Sequence, residues 1–375
     1  MKILMICHYM LPHRGGIEIV VDKLTKGFSR RGHKIIIVTA QVAGGARYEQ
    51  EGNRHIFRVR ALDPLLHLGV HYPIFAPNII SLLKKLIHYV DIVHIQGMIY
   101  HNSLTALLLA HTIKRPIVLT EHAGFVTYKN PLLNIIQLLA IHSLGKLALS
   151  WSNKIIVHDK IVKEIISSMG IKEDKLVNIP LGVDTSIFHC VSEKRKKEIR
   201  QKLGWDQYPK VLFVGNFVAR KRINLLLEVL DGSFDLVLCG EGSLPIPQSS
   251  KHLLIYPAMD HYQLAEFYQA SDLFVVPSKV ETFCIVAYEA MACGLPVIMT
   301  YDLLHLTIAQ SGLVTFVPAT PERLREAIHE LLADKEKRQE IGLKGAEWVH
   351  RHFSWERCIE QHIMLYEQLL FEKNK

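Results

Sequence analysis

Residues 277–297, PSKVETFCIVAYEAMACGLPV, decide the fold of this chain. The apolar run directly before them predicts a buried strand that ends at Pro277, and the pattern after it predicts a helix from near Cys284 to Cys293. Gly294 stands where a glycine commonly ends a helix, and Pro296 cannot continue one. A buried strand, a short loop and a capped helix that leads to a further apolar run form the repeating unit of an α/β fold.

The loop and first turn of this helix carry groups that suit a phosphorylated, hydroxyl-rich ligand. Glu281 precedes the helix, and Glu289 lies eight positions later. Carboxylates accept hydrogen bonds from sugar and ribose hydroxyls, although such a pair arises often by chance and only its context gives it weight. The backbone amides expected to form an anion site at the helix start are those of Thr282, Phe283 and Cys284.

Short apolar runs alternate with helical patterns along the whole chain. Near-continuous apolar runs are typical of strands buried on both faces of a parallel sheet. The sequence therefore predicts an α/β fold with helices on both faces of the sheets. The predicted strands cover residues 2–7, 34–39, 91–95, 116–120 and 154–157, and then 210–215, 234–239, 253–256, 272–276 and 296–300.

The strand and helix rhythm breaks once, at a Pro/Gly turn over residues 180–184. The charged segment Glu193–Lys202 follows, and we predict that it is a solvated helix face and not a binding patch. The sequence thus predicts one domain over 1–185 and a second over 186–352. Residues 353–375 are predicted to form a terminal helix.

Composition narrows the class of protein. The chain has 375 residues, enough for two domains, and its 49% hydrophobic residues exclude a disordered chain. Its six cysteines are dispersed without a C-x-x-C pair, so we expect packed thiols in the cytoplasm. The opening MKILMIC predicts a buried first strand and not a secretory signal.

The net charge of +8 is compatible with binding to nucleic acid, to an anionic membrane or to a polyanionic small ligand. The sequence carries no motif typical of nucleic-acid binding, so nucleic acid is not an expected partner. A membrane face and a phosphorylated ligand remain as interpretations of the charge.

Further loops after predicted strands hold candidate groups, because ligands of doubly wound sheets bind at the carboxyl ends of strands. Gly15 and Gly16 let the backbone approach a phosphate closely. His122, after the strand at 116–120, can donate to a sugar hydroxyl or a phosphate. Gly215 leaves room at a strand end, and Lys221 supplies the positive charge that a departing diphosphate needs. Each motif also has a structural alternative. Gly15 and Gly16 would then form only a tight turn, His122 would be one of 21 histidines without a special role, and the loop with Lys221 would be a solvated basic turn.

Taken together, these motifs resemble the large family 4 of retaining glycosyltransferases, and the resemblance spans nearly the whole chain. It implies the GT-B fold, in which two facing Rossmann-like, doubly wound domains enclose a cleft. The first domain would bind the acceptor, the second the nucleotide sugar, and the terminal helix would return to the first. The motifs that carry the resemblance are Gly15-Gly16, residues 91–94, 120–122, 180–184, 215–221 and 240–242, and the pair Glu281 and Glu289.

The resemblance also implies roles for single residues. Glu289 would bind the ribose, Glu281 the hydroxyls of the transferred sugar, and Lys221 the departing diphosphate against which Gly16 packs. His122 would lie at the sugar, which makes Glu281, Lys221 and His122 the implied catalytic residues. The donor-binding residues implied are Gly15, Gly16, Gly215, Asn216, Gly240, Thr282, Phe283, Cys284, Ile285 and Glu289.

The sequence departs from the family pattern at one residue and in two short segments. Asn216 stands where the family usually has arginine, so Arg220 or Arg222 would have to supply that cation. The usual Gly-Phe-Gly is Thr-Phe-Cys over residues 282–284, and a usual Gly-Gly-x-Pro-Glu segment is replaced by residues 301–305.

From this resemblance we expect retaining transfer of a sugar from a nucleotide-diphosphate donor, with UDP or GDP as the nucleotide and with no cofactor or metal. The expected acceptor is a glycan, a lipid-linked molecule or a lipopolysaccharide-type molecule. Two alternatives stay open: a nucleotide-sugar-binding protein without catalysis and a nucleotide-sugar epimerase.

Two segments raise the question of a membrane. Asn78–Tyr89 and Pro131–Trp151 mix long apolar runs with lysines, which suits peripheral contact with an anionic membrane at the inner face of the cytoplasmic membrane. The alternative is that both are buried helices of the sheet sandwich. Polar residues interrupt Pro131–Trp151, and we expect that it does not span a membrane.

Overall fold

The structure is a computed structural model that describes residues 1–13, 15–68, 70–122, 130–242, 251–281, 283–303 and 306–373. The chain divides into two compact units. Unit 1 comprises Met1–Pro180 together with Glu356–Lys375, and unit 2 comprises Leu181–Trp355. The division falls at the Pro/Gly turn, a few residues before the boundary predicted after residue 185, and the last helix belongs to unit 1.

The strands of the described residues follow the predicted order. Those of unit 1 are β1 Lys2–Ile6, β2 Lys34–Ala40, β3 Tyr48–Glu51, β4 Arg54–Val59, β5 Ala61–Leu62, β6 Ile74–Phe75, β7 Ile92–Gln96, β8 Ile117–Glu121, β9 Lys154–Val157 and β10 Leu176–Asn178. Those of unit 2 are β11 Lys210–Val214, β12 Asp235–Cys239, β13 Leu253–Tyr256, β14 Leu273–Val276, β15 Val297–Thr300 and β16 Val314–Val317.

Helices separate most of the strands. They are α1 Gly16–Arg30, α2 Asn78–Tyr89, α3 His101–Thr112, α4 Pro131–Ala140, α5 Lys146–Trp151, α6 Lys160–Ser168, α7 Glu193–Lys202, α8 Ile223–Glu228, α9 His261–Ala270, α10 Ile285–Ala292, α11 Pro321–Ala333, α12 Lys335–His352 and α13 Trp355–Lys373. A π-helical turn, Ile141–Gly145, joins α4 to α5. Short 3-10 turns cover Leu66–Leu68, Glu173–Lys175, Ala219–Lys221, Tyr301–Leu303 and Thr307–Ser311.

Each unit is built on a mainly parallel sheet. In unit 1 the strand order is β10-β9-β8-β7-β1-β2-β4-β3, and within that sheet β3 runs antiparallel to β4. In unit 2 the order is β13-β12-β11-β14-β15-β16, and the pairings are parallel. This arrangement confirms the predicted α/β class and its Rossmann-like units.

The sheet of unit 2 has an apolar core on each face. Leu212 of β11 belongs to one cluster, whereas Val211 and Phe213, whose side chains alternate with it, belong to another. Such burial on both faces explains why its strands appear in the sequence as continuous apolar runs.

The terminal helix α13 packs on unit 1 through close contacts. A side chain at Gly27 of α1 would place its Cβ 2.2 Å from the Ile359 Cδ1 atom, so the glycine lets the two helices approach. Further along, the Tyr366 hydroxyl lies 2.6 Å from His94 Nδ1 of β7, and both side chains are fully buried. The last helix is therefore part of the core of unit 1.

Some elements were missed by the sequence interpretation. The residues of β3, Tyr48–Glu51, are exposed and mostly polar, and β4 carries Arg54 and Arg58 at buried positions. Those arginines are tolerated inside because carboxylates pair with them; Asp22 Oδ1, for example, lies 2.8 Å from Arg54 Nη2. Paired internal charges break the apolar pattern on which strand prediction depends.

The two apolar segments behave differently. Helix α2 buries Ile79, Leu83 and Ile87, as the buried-helix alternative expects, but none of the residues of α4 is buried. By length and composition alone Pro131–Trp151 could cross a membrane, and 22% of its most apolar window is buried. The expectation that it does not span a membrane therefore stays a prediction.

Candidate active site

Lys221 and Glu281 meet at the carboxyl ends of two neighbouring strands. Lys221 ends the 3-10 turn after β11, Glu281 follows β14, and β11 pairs in parallel with β14. The Lys221 ammonium forms an ion pair with the Glu281 carboxylate, and the two side chains are only 10% and 11% exposed. The structure thus brings together two of the three predicted catalytic residues.

The loops that carry this pair are held by their backbones. The Lys279 amide donates to the Arg220 carbonyl at 2.8 Å, which joins the loop after β14 to the loop after β11. This bond fixes Glu281, two residues later, next to Lys221.

A second cation lies beside the same carboxylate. Arg220 Nη1 is 3.9 Å from Glu281 Oε2 and its side chain is 55% exposed. Arg222 instead forms an ion pair with Asp302. Because Asn216 carries no charge, Arg220 is better placed than Arg222 to supply the cation that the family pattern expects at position 216.

The glycines after β11 and β12 are explained by backbone packing. Gly215 and Gly240 have φ of +151° and +148°, and a Cβ on Gly240 would lie 2.0 Å from the Gly215 carbonyl oxygen. The Gly215 amide also donates to the Cys239 carbonyl at 3.0 Å. Adjacent Asn216 is exposed. A donor-binding role for these residues stays a prediction, because close approach of the two loops already requires a glycine at 240.

Cys284 begins helix α10 in a left-handed conformation, with φ 57° and ψ 54°. Its side chain is 6% exposed, and burial raises the pKa of its thiol to about 12. Non-glycine residues pay for such backbone angles. At the position of the family pattern's second glycine, this chain thus has a cysteine in a conformation that favours glycine.

The other residues of this loop divide between core and surface. The Phe283 ring is buried and stacks on Tyr288, with 4.6 Å between ring centroids, so its side chain belongs to the core. Ile285 is partly buried, and Thr282 lies outside the described residues. At the far end of α10, Gly294 has φ +79° and its amide donates to Met291, which confirms it as the helix-ending glycine.

Glu289 is a buried carboxyl group on α10. It is 6% exposed, and the Tyr268 hydroxyl donates to its Oε2 atom at 3.2 Å. Burial raises the pKa of Glu289 to about 8. The group is therefore protonated for much of the time near neutral pH, and a ligand that hydrogen-bonds to its carboxylate would drive the proton off.

In unit 1 the loop after β1 leads directly into α1. A Cβ on Gly15 would lie 2.4 Å from Glu18 Oε2, whereas within the described residues a Cβ on Gly16 would meet no atom within 4 Å. Glu18 is buried, and its Oε1 atom lies 2.8 Å from His13 Nδ1. Space beside Gly16 suits the close ligand approach predicted for it, and Arg14 of the same loop lies outside the described residues.

His122 belongs to a buried polar network at the carboxyl edge of the first sheet. Its Nε2 atom lies 2.6 Å from Gln96 Oε1, and its Nδ1 atom lies 3.2 Å from His158 Nε2. His158 Nδ1 lies 2.8 Å from the Ile179 carbonyl oxygen. On the other side Gln96 contacts His94, which reaches Tyr366 of α13.

Both ring nitrogens of His122 lie next to hydrogen-bond acceptors. A carbonyl only accepts, so a neutral His158 donates from Nδ1 to Ile179 and presents its bare Nε2 as an acceptor to His122 Nδ1. Burial, reinforced by His158, His94, His8 and His362, holds the pKa of His122 well below its ordinary value. Gln96 Oε1, next to His122 Nε2, is an acceptor as well, and the low pKa keeps the ring neutral with a single proton to donate.

Three side chains in these sites were not predicted: Gln96, His158 and Tyr268. Gln96 ends β7 and His158 follows β9, so the strand-end rule that selected His122 would also have selected them. Tyr268 lies inside α9, and only the fold brings it to Glu289.

Solved structures share this architecture. Sucrose-phosphate synthase from Thermosynechococcus elongatus superimposes with a TM-score of 0.77 at 22% identity, covering 99% of each chain. An Anabaena protein solved in complex with UDP-glucose gives a TM-score of 0.75 at 16% identity, covering 98% of this chain and 99% of the other. The two α/β units, each built on a mainly parallel sheet, thus have the GT-B fold of glycosyltransferases.

Sequence comparisons show the family to which the chain belongs. The model of glycosyltransferase family 4 matches residues 14–187, and that of the glycosyl transferases group 1 matches residues 195–348. An uncharacterized glycosyltransferase of Methanocaldococcus jannaschii is 25% identical over 98% of each chain. A GDP-mannose-dependent alpha-(1-6)-phosphatidylinositol dimannoside mannosyltransferase of Mycobacterium tuberculosis is 24% identical over 96% of this chain and 94% of its own. The chain belongs to the group 1 glycosyltransferases of the family 4 type, and it is a glycosyltransferase.

Proposed function

We propose that this glycosyltransferase uses a nucleotide-diphosphate sugar and retains the anomeric configuration. The observation that carries the proposal is the ion pair of Lys221 and Glu281 at adjacent strand ends. An ammonium held there suits a diphosphate, and a carboxylate beside it suits sugar hydroxyls. Glu289 would hold the ribose hydroxyls, and His122 would exchange its contact with Gln96 for a sugar hydroxyl.

In the proposed chemistry, the acceptor hydroxyl attacks the anomeric carbon from the same face from which the leaving group departs. The bond between the anomeric carbon and the diphosphate oxygen breaks, and the acceptor hydroxyl oxygen bonds to the same carbon. The hydroxyl proton passes to the departing diphosphate. Lys221 stabilises the charge that develops on that diphosphate, and Arg220 is the second cation within reach of the same carboxylate.

The donor nucleotide is proposed to be UDP or GDP. A mycobacterial relative is named as GDP-mannose-dependent, and a structural neighbour was solved with UDP-glucose. Both support a nucleotide-diphosphate donor, and melting shifts with UDP and GDP would decide between the bases.

The acceptor is proposed to be a glycan carried on a lipid or a lipopolysaccharide-type molecule. Helix α4 presents large apolar side chains to solvent, with Leu132 60%, Ile135 55% and Leu139 65% exposed. Monomeric soluble proteins seldom expose such contiguous apolar surface unless it binds something. We propose that α4 rests on the inner face of the cytoplasmic membrane, where the enzyme meets its acceptor.

A transfer assay tests the proposal. The protein is incubated with UDP-glucose or GDP-mannose and with octyl β-glucoside as acceptor, and proton NMR follows the anomeric signals. Disaccharide with the donor's configuration supports retaining transfer, and inverted product contradicts it. Donor isomerised without acceptor would indicate the epimerase, and tight donor binding without any turnover would indicate the non-catalytic alternative.

A further inference from the structure

Unit 1 contains a cavity of about 300 Å³ at the carboxyl edge of its sheet. Met98 and Ile99 after β7, with Glu121 and His122 at the end of β8, form one wall. Helix α4 and its π-helical turn form another part of the lining. The residues of that part are Leu133, Ile136, Gln137, Ala140, Ile141 and Leu144.

Polar groups along the cavity are already engaged inside the protein. The Tyr72 hydroxyl donates to the Ile99 carbonyl at 2.9 Å, and Glu121 Oε2 accepts from the Met98 amide at 3.1 Å. Both nitrogens of His122 contact other side chains. A hydroxyl-rich ligand would have to displace these bonds, at a cost for each buried group left unpaired. An apolar ligand only has to fill the space.

Helix α4 makes this cavity continuous with an exposed apolar surface. Leu133 and Ala140 line the cavity and are partly buried, whereas Leu132 and Leu139 of the same helix are 60% and 65% exposed. One helix therefore has an apolar wall inside and an apolar face outside. A hydrocarbon chain could pass from a bilayer along the helix into the cavity without leaving apolar surroundings.

We propose that the cavity binds the hydrocarbon chain of a lipid acceptor. The polar head then lies at the strand ends, where His122 and Glu121 lie, and the chain lies against α4. The assignment rests on the proposed function, because it takes the lipid to be the acceptor, and it extends that function to a specific subsite formed by α4 and the loops after β7 and β8.

The test uses alkyl β-glucosides below their micelle concentrations and isothermal calorimetry on the full chain. Each added CH₂ buried is worth roughly a fourfold gain in affinity. Octyl, nonyl and decyl glucoside should therefore bind progressively more tightly, until the cavity is full, and glucose should not bind measurably. Affinity independent of chain length would overturn the proposal.

Two variants of α4 localise the binding. Ala140→Phe fills the cavity and should weaken decyl glucoside at least tenfold. Leu139→Ser, the neighbouring residue on the exposed face, should leave that affinity unchanged and reduce association with anionic vesicles. An Ala140→Phe protein that folds and binds decyl glucoside as the wild type does would overturn the assignment.

A second cavity variant and a donor control complete the test. If Ala140→Phe does not fold, Leu144→Ala enlarges the same cavity and should shift the preferred chain towards dodecyl. An unchanged preference would overturn the proposal. Melting shifts with UDP and GDP are measured beside it. Nucleotide binding without chain binding defeats this inference alone, and chain binding without nucleotide binding or transfer defeats the proposed function alone.

Discussion

The ammonium of Lys221 and the carboxylate of Glu281 neutralise each other at the ends of β11 and β14. Both groups are about nine-tenths shielded from water, and the hydrogen bond from the Lys279 amide to the Arg220 carbonyl holds their loops together. A diphosphate that binds Lys221 therefore competes with Glu281. Once displaced, the carboxylate is released to accept hydrogen bonds from sugar hydroxyls. The two predicted catalytic residues are thus coupled before any ligand is bound.

Lys221→Ala should lower turnover by about 10²–10³, because one electrostatic contact to a departing group contributes roughly 3–4 kcal/mol. Steady-state kinetics of donor consumption measures the effect. Lys279→Ala removes an exposed cation from the adjacent loop and serves as the matched control, with turnover near that of the wild type. Near-full turnover in Lys221→Ala would remove this residue from the mechanism.

Glu281→Gln should separate binding from catalysis. Loss of the competing carboxylate frees Lys221, so inorganic pyrophosphate and the nucleotide diphosphate should bind about tenfold more tightly, roughly 1.4 kcal/mol. Transfer should fall, because the amide replaces the acceptor oxygen offered to sugar hydroxyls. Calorimetry and kinetics on one preparation give both numbers. Weaker pyrophosphate binding would show that Glu281 does not compete for Lys221.

Glu289 should make stability depend on pH. Its pKa is raised by burial from 4.5 to about 8, so between those values the folded protein holds a proton that the unfolded chain has lost. The free energy of unfolding should therefore fall as pH rises through this window, by at most about 1.4 kcal/mol per pH unit. Urea unfolding from pH 5 to 8.5 measures the slope.

Glu289→Gln is the control for that slope, since the amide keeps the shape of the side chain and does not titrate. The difference between wild type and variant isolates the contribution of Glu289 from the other ionisable groups. Equal slopes in the two proteins would show that the carboxyl group is ionised in the fold as in water.

The left-handed backbone of Cys284 predicts that a glycine there is more stable than an alanine. Cys284→Gly should exceed Cys284→Ala in unfolding free energy by about 1 kcal/mol, because a Cβ is unfavourable at these angles. Both variants lose the buried thiol, so their difference reports the backbone alone. If Cys284→Ala is at least as stable as Cys284→Gly in chemical denaturation, the backbone at this position is not strained.

The sequence predicts the strands that carry buried apolar runs, such as β9 and β14, and the helix that Gly294 ends. It misses β3 and β4, because exposed polar residues and the internally paired Arg54 and Arg58 remove the apolar signal. A pattern of apolar residues indicates buried apolar side chains, so it does not reveal strands whose buried side chains are paired charges.

The candidate site shows a similar division. Strand-end position was enough to select Lys221, Glu281 and His122. The contacts of His122 with Gln96 and of Glu289 with Tyr268 depend on which strands and helices become neighbours, and a single sequence does not state that. The left-handed angles of Cys284 do not follow from the residue itself, since a cysteine usually avoids them, and the glycine of the family pattern at this position is the one signal for them.

The most direct test of the account is a thermal-shift screen of the full chain against UDP, GDP, ADP and their sugars, beside Glu289→Ala. A ligand that binds only the folded state raises the melting temperature by mass action. The account predicts that one nucleotide family stabilises the wild type and that Glu289→Ala loses the effect. A wild type that no nucleotide stabilises, or a shift that Glu289→Ala keeps in full, would contradict the donor site proposed here.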